Sequence, residues 1–281
     1  MVGEAGGPGG LAAGLSADLR VAYDATAPRW TEGPEPVYAS LARTLLAAVL
    51  LVPADGRVLA GAGLAGGRVL DLGAGTGVAG RAALAAGARS VVCADSALSM
   101  LRRSGPRLHP VAADITALPF RDGYFDLVLA AFCLGHLGRP VAGLREARRV
   151  GTALAASSFA AGWNHPAKAA VDQVLGSFGY RPPPWYVTFK RDTEPRASDP
   201  AALGRDTAAA GYTDIKVRTV TVDTGLSSSA ELASWRLGMA HIAPFVASLS
   251  RAHRAELRRA AEAAVTGTGP LVVDMLVLVA R

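Results

Sequence analysis

Between residues 68 and 159 the chain alternates short apolar runs with longer stretches in which apolar positions recur every three or four residues. The short runs fall at Arg68–Leu72, Ser90–Ala94, Leu108–Ala112, Phe125–Ala130 and Ala153–Phe159. Short apolar runs of this length predict strands. The stretches between them predict helices at about 78–87, 97–103 and 140–149. Strands alternating with helices imply βαβ units and a parallel sheet.

On either side of this block the pattern changes. Residues 15–53 predict a pair of helices, with Ser16 as the first N-cap and a break at Pro34 and Pro36. The Gly-rich residues 1–14 show no periodicity and predict a loose tail. Residues 162–205 are aromatic and Pro-rich at their centre and predict an insertion, not another strand–helix unit. Regularity returns with a helix near 200–210, closed by Gly211, and a strand at Asp214–Val222. Ser228 and Glu231 have capping-box spacing and predict a helix over 229–241, followed by one over 248–265. The last strand is LVVDMLVLVA, with Asp274 its only charge. The predicted layout is a tail (1–14), a helical cap (15–53), a core (54–161 and 206–281) and a lid (162–205), to which the helices of 223–265 add.

Composition narrows the class. Of 281 residues 51% are hydrophobic, enough for one substantial core, and 19% are charged. The net charge of +6 raises a polyanion partner. The basic residues are almost all arginine, with lysine only at Lys168, Lys190 and Lys216, and Ala, Gly and Pro are abundant too. That usage reflects a GC-rich genome. The densest basic run, Arg251 to Arg259, contains Glu256 and has the spacing of a solvated helix face. Cys93 and Cys133 both lie in apolar runs, so buried reduced thiols are expected, not a disulfide framework. No signal-peptide pattern and no apolar run near the ~20 residues of a bilayer span are visible. A cytoplasmic chain is expected, a monomer or homodimer without nucleic-acid or membrane partners.

The candidate chemistry begins at RVLDLGAGTGVAG, residues 68–80. Gly73, Gly75 and Gly77 suit a sharp turn with a ligand close to the backbone, and a helix from Val78 would aim its first amides at that ligand. Residues 75–80 also spell the dinucleotide pattern GxGxxG. Asp71 separates the two readings, because a carboxylate at the strand end opposes pyrophosphate but suits an ammonium and a sulfonium. Asp95 ends the next strand, eighteen residues after Gly77, where a carboxylate can take both hydroxyls of a ribose. Asp114 ends the third strand, and RDGYFDLVLAAFCLGHL, residues 121–137, carries the fourth.

With these pieces together the chain resembles the class I Rossmann-like S-adenosylmethionine-dependent methyltransferases, the small-molecule branch in particular. The resemblance covers 68 to about 160 and, more loosely, 209–222 and the final strand. It implies a seven-stranded, mostly parallel α/β sheet with helices on both faces, an N-terminal helical cap and lid insertions. It implies S-adenosylmethionine as cofactor, with S-adenosylhomocysteine as product. Gly73, Ala74, Gly75 and Gly77 would follow the methionine part, with Asp71 supporting the loop and the amino group. Asp95 would take the ribose hydroxyls, Ser96 and Met100 would flank the adenine, and Asp114 would accept from the adenine amino group, with Ile115 packing on the ring and Ala113 beside them. Ala131 would face the methionine end, and Tyr23 would close over the cofactor carboxylate, unless Tyr23 and Trp30 serve only to pack the cap. Where relatives often carry an acidic residue or Asn two positions after the fourth-strand histidine, this chain has Gly138.

Methyl transfer from a sulfonium requires placement of the acceptor and exclusion of water, and a base only if the acceptor must lose a proton. His136 is the candidate base nearest the expected methyl position, with a structural role as its alternative; His165 and His241 are weaker candidates. The Asp/Asn/Ser-Pro-Pro-aromatic motif of enzymes acting on planar amino groups is replaced by Ala-Ala-Phe-Cys after the fourth strand. Trp30, Trp163, Trp185, Tyr186, Trp235, Met239 and His241 are the candidate lid residues over an acceptor. They favour an O- or C-directed methyl transfer to an apolar small molecule of secondary metabolism. A non-methylating relative such as a cyclase, an RNA or protein methyltransferase and, more distantly, a nicotinamide dehydrogenase are the alternatives.

Overall fold

The computed structural model describes residues 9–50 and 64–281, with side chains over 17–49 and 64–281. The first eight residues and the junction between the expected cap and core at 51–63 therefore lie outside the described residues. The chain opens with two helices, α1 (Gly9–Glu32) and α2 (Pro34–Leu50). Because α1 begins at Gly9, residues 9–14 are helical where a loose tail was expected, and Ser16 lies inside the helix instead of capping it. Leu11, Ala12 and Ala13 are strong helix formers, and extending a helix already anchored downstream costs far less than nucleating one.

The sheet follows: β1 (Arg68–Leu72), β2 (Ser90–Asp95), β3 (His109–Ala112), β4 (Leu127–Ala131), β5 (Leu154–Phe159), β6 (Lys216–Asp223) and β7 (Val272–Ala280). Spatially the order is β3-β2-β1-β4-β5-β7-β6. The first five strands pair in parallel, and β7 inserts antiparallel between β5 and β6. Alternate strand residues feed two separate cores. Val69, Leu127, Leu129 and Ala155 face one layer, while Leu70, Val128, Ala130 and Leu154 face the other. The first layer is covered by α2, α3 (Val78–Ala85), α6 (Pro166–Ser177), α10 (Ser229–Leu237) and α12 (Arg251–Ala264); the second by α5 (Pro140–Val150) and α9 (Pro200–Ala209). The outermost strand, β6, is mostly exposed and carries Lys216 and Arg218, charges that discourage further strand pairing.

Helix α12 buries Leu257 and Ala261 and leaves Arg251, Arg258 and Arg259 in water, as the charge pattern implied. Cys93 and Cys133 are buried and unpaired with each other. The capping box at Ser228 and Glu231 is formed. No described helix is long and apolar enough to cross a membrane.

The insertion is itself helical: α6, α7 (Pro184–Thr188), a π-helical turn (Phe189–Thr193) and α8 (Glu194–Ser198). It joins α1, α10 and α11 (Ala243–Ser248) over the carboxyl ends of the parallel strands. Two interactions hold α1 there. The Asp24 carboxylate accepts from Ser99 N (2.7 Å) at α4 (Leu98–Leu101). Gly33, between α1 and α2, meets α10 so closely that a Cβ there would overlap the Ser234 carbonyl. Across the same seam a Cβ on Gly238 would lie 2.5 Å from Pro34 Cδ. Gly33→Ala therefore prises the cap from α10. Overpacking of this kind costs about 1–3 kcal/mol, and a thermal melt is expected to shift down accordingly.

Candidate active site

The turn after β1 passes through Gly73, Gly75 and Gly77 with φ of 59°, 54° and 80°, which side-chain-bearing residues adopt only with strain. A side chain at Gly73 would also overlap Cys133 Cβ, so the loop lies directly against the end of β4. Asp71 is 1% exposed and turns away from the open edge. Its Oδ2 accepts from Gly80 N at 2.8 Å, in the first turn of α3, and its Oδ1 has no partner among the described residues. The helix N-terminus thus directs an amide to an internal carboxylate, where the sequence suggested a ligand. Burial, reinforced by the charge of Asp95, pushes the Asp71 carboxyl up to about 7.

In front of the loop lies a cavity of about 330 Å³, within the range of small-ligand sites. Gly73, Ala74, Gly75, Asp95, Ser96, Met100, Ala113, Asp114, Ile115 and Ala131 line it, and Tyr23 closes it from α1. Asp71 and Gly77 are absent from its wall; Gly77 instead packs toward Leu108 and Ser104 as the residue before α3. Asp95 both borders the cavity and shapes it. Its Oδ2 accepts from Gly75 N (2.7 Å) and its Oδ1 from Ala97 N (2.8 Å), each oxygen keeping acceptor capacity. Burial raises its pKa against those hydrogen bonds. Asp114 is exposed, with Oδ1 accepting from Thr116 N and Oγ1 at 2.8 and 2.7 Å. Arg20 also lines this cavity. It precedes Tyr23 by one helical turn, so the same-face spacing of α1 carried the signal that the sequence reading passed over.

A second cavity, of about 160 Å³, adjoins the first. Trp163, Trp185, Tyr186, Trp235, Met239 and His241 line it, so the insertion and the α10–α11 segment converge there. Trp30 does not join them. It lines the first cavity, in a cluster with Ala27, Ala97 and Met100, and stacks on Tyr38 at 5.0 Å. His165 lines neither cavity; it accepts from Ala167 N as the cap of α6 and pairs with Pro270 O. Four residues line both cavities: Tyr23, Tyr38, Phe132 and His136. Phe132 holds φ at 58°, a strained backbone for an aromatic residue, with its amide donating to Ser157 O at 2.9 Å. The Tyr23 hydroxyl lies 3.1 Å from His136 Nε2. Burial holds the His136 imidazole down at about 4 and raises the Tyr23 phenol well above its usual range, so near neutral pH both are uncharged. Burial also pushes the Cys133 thiol up, consistent with a packing role.

Residues 70–153 match the family model described as a methyltransferase domain. This segment is a methyltransferase domain. Among solved structures, the methyltransferase in complex with the Trm112 methyltransferase activator of Haloferax volcanii superposes with a TM-score of 0.51. Identity is 16%, over 94% of this chain and 95% of that one. Phosphoethanolamine N-methyltransferase 2 of Haemonchus contortus, in complex with S-adenosyl-L-methionine, gives 0.50 at 16% identity, over 85% of this chain and 52% of that one. A methyltransferase of Bacillus halodurans gives 0.48 at 18% identity, over 84% and 97%. At these identities the two likenesses of 0.50 and above establish the fold alone. A search of curated proteins finds no match to the chain.

The first cavity fits the cofactor of such a domain chemically. Its wall carries two carboxylates, Asp95 and Asp114, toward a ligand bearing an ammonium, a sulfonium and hydroxyls, and Arg20 is available to a carboxylate. Asp95→Ala removes an acceptor and frees the Gly75 amide, and hydrogen bonds to a charged group contribute about 1.5–3 kcal/mol. Calorimetry is expected to show S-adenosylhomocysteine binding weakened by roughly tenfold or more. Asp71 in the methyltransferase domain gives a separate prediction. Its carboxyl binds a proton more tightly folded than unfolded, so stability falls as pH rises from about 4 to about 7. In Asp71→Asn, denaturant melts of the cofactor-free protein should lose that component, on the order of 2–4 kcal/mol.

Proposed function

We propose that the chain transfers the methyl group of S-adenosylmethionine to an oxygen or carbon of a small molecule held in the second cavity. The observation that carries this is the shared wall: Tyr23, Tyr38, Phe132 and His136 border both cavities, so a methyl donor in one would lie next to an acceptor in the other. When bound, the cofactor supplies an electrophilic methyl group on a sulfonium with a neutral leaving group. Gly73, Ala74 and Gly75 would follow its methionine part, Asp95 its ribose, and Met100, Asp114 and Ile115 its base. The chain's own task is then to orient the acceptor, keep water out and accept a proton where one is lost.

Tyr23 and His136 are placed for that last step. With the Tyr23 hydroxyl donating to His136 Nε2, the phenolic oxygen is free to accept from an acceptor hydroxyl as its own proton passes to the imidazole. Near neutral pH the His136 Nε2 lone pair is open, and because burial makes the imidazole a weak base, its protonation must be coupled to methyl transfer, as the acceptor hydroxyl loses its proton. The aromatic lining and the small volume of the second cavity favour a compact acceptor over a nucleic-acid or protein chain, in keeping with a role in secondary metabolism. We take the chain to act as a monomer or homodimer, away from membranes and nucleic acids.

The test is S-adenosylhomocysteine release against a panel of small hydroxylated and activated-carbon compounds, with RNA and protein substrates in parallel. Product with RNA or protein alone, or conversion of a compound without S-adenosylhomocysteine, would sink the proposal. For a hydroxyl acceptor, His136→Ala and Tyr23→Phe are expected to lower kcat by roughly 10²-fold or more, the range of general-base contributions. Cofactor affinity should change far less.

A further inference from the structure

The charges of the second cavity say what kind of acceptor fits it. Lysine occurs at only three positions in this arginine-rich chain, and two of them, Lys168 and Lys190, line this cavity. Arg236 is the third cation of the wall. Two of the three are already neutralised. Arg236, 5% exposed, makes a bidentate pair with Asp172, at 2.9 and 2.7 Å. Lys190 pairs with Glu194, which also lines the cavity. Lys168 has no carboxylate within ion-pair distance among the described residues. Its Nζ lies over the Trp163 ring, 4.7 Å from the centroid, and Trp163 in turn stacks on Phe159 at 4.8 Å. The cavity wall therefore carries one uncompensated positive charge. Burial, together with the charges of Arg236 and Lys190, holds the Lys168 amine down at about 8.

A second polar group also lacks a partner. His241 is 5% exposed and lines the cavity, its ring stacked on Tyr186 with centroids 3.6 Å apart and planes within 4°. Its Nε2 has no hydrogen-bond partner among the described residues. Burial and the three neighbouring cations keep this imidazole neutral. Buried polar atoms in folded proteins are nearly always satisfied, so an orphan on a residue that lines a cavity points to a group supplied by the occupant once the ring adjusts. The volume sets the size. A cavity of about 160 Å³ is close to the ~150 Å³ of an apolar cavity that holds benzene.

We propose that the acceptor is a monoanionic acid with a body about one aromatic ring in size, its carboxylate paired with Lys168 and a second polar group meeting His241. This rests on the second cavity being the acceptor site of a methyltransferase. A single excess positive charge matches a single negative one; a dianion would bring its second charge against Glu194. The aromatic walls of Trp163, Tyr186 and Phe189 suit a flat body between the two polar contacts.

Calorimetry tests this on the full chain saturated with S-adenosylhomocysteine. The probes are three one-ring compounds: 4-hydroxybenzoate, its near-isostere 4-hydroxybenzamide, and the cationic 4-hydroxybenzylamine. The benzoate is expected to bind at least tenfold more tightly than the amide, and the amine most weakly. Lys168→Met should abolish the preference and Lys168→Arg should retain it, with both variants still binding S-adenosylhomocysteine as proof of folding. Equal affinity for acid and amide, a preference that survives Lys168→Met, or no binding by any of the three overturns the acid acceptor alone. A chain that binds no S-adenosylhomocysteine at all overturns the methyltransferase reading beneath it.

Discussion

Everything at this site follows from one constraint: parallel strands joined by helices must all end on the same edge of the sheet. The pairing of β2 with β1 places Asp71 beside Cys93, and that of β3 places Asp95 beside Ala112, so the loops after four neighbouring strands open side by side. Such an edge exposes backbone groups and apolar strand ends, and something must cover it. Here the cover comes from three separate parts of the chain: α1 before the sheet, the insertion after β5, and the α10–α11 segment after β6. The two cavities are the space between that cover and the loops.

Charge divides the space. On the cofactor side the wall carries Asp95 and Asp114, and behind it Asp71 fills the start of α3 from within. One amide of the first turn of α3 is thereby taken by a carboxylate, and the acidic wall favours a cationic cofactor over an anionic one. On the other side the wall carries Lys168, Lys190, Arg236 and a single acid, Glu194. The two sides meet at uncharged aromatic groups, where the Tyr23–His136 hydrogen bond joins residues 113 positions apart. An uncharged wall between opposed fields suits a reaction in which the donor loses its positive charge as the methyl group leaves.

The strands were legible because each is short, apolar and bounded by turn residues; the Arg68–Leu72 strand has the limits its sequence implies. Asp95 could be placed because a residue at the end of a parallel strand lies at the open edge whatever surrounds it. Asp71 shows the limit of that logic. It lies one residue short of its strand end, level with Cys93 and two positions below Asp95, so its side chain stays inside the layer and accepts from Gly80. Trp30 was grouped with the lid because it is aromatic and precedes the core, but the direction of α1 sets it beside Met100. Lys168 and Arg236 carried no signal at all. They lie on α6 and α10, and the Arg236 pair with Asp172 closes a separation of 64 residues that no local pattern encodes.

By itself, then, the sequence determined the α/β alternation, the glycine turn and the acidic residues at the strand ends. Those are properties of neighbours along the chain, set by periodicity and by backbone conformations that glycine adopts cheaply. The tertiary structure alone decided that there are two cavities, which aromatic residues wall each, and which cation is left without a counter-charge. Each of these depends on contacts between segments far apart in sequence, fixed by packing and by the cost of leaving polar groups buried and unpaired.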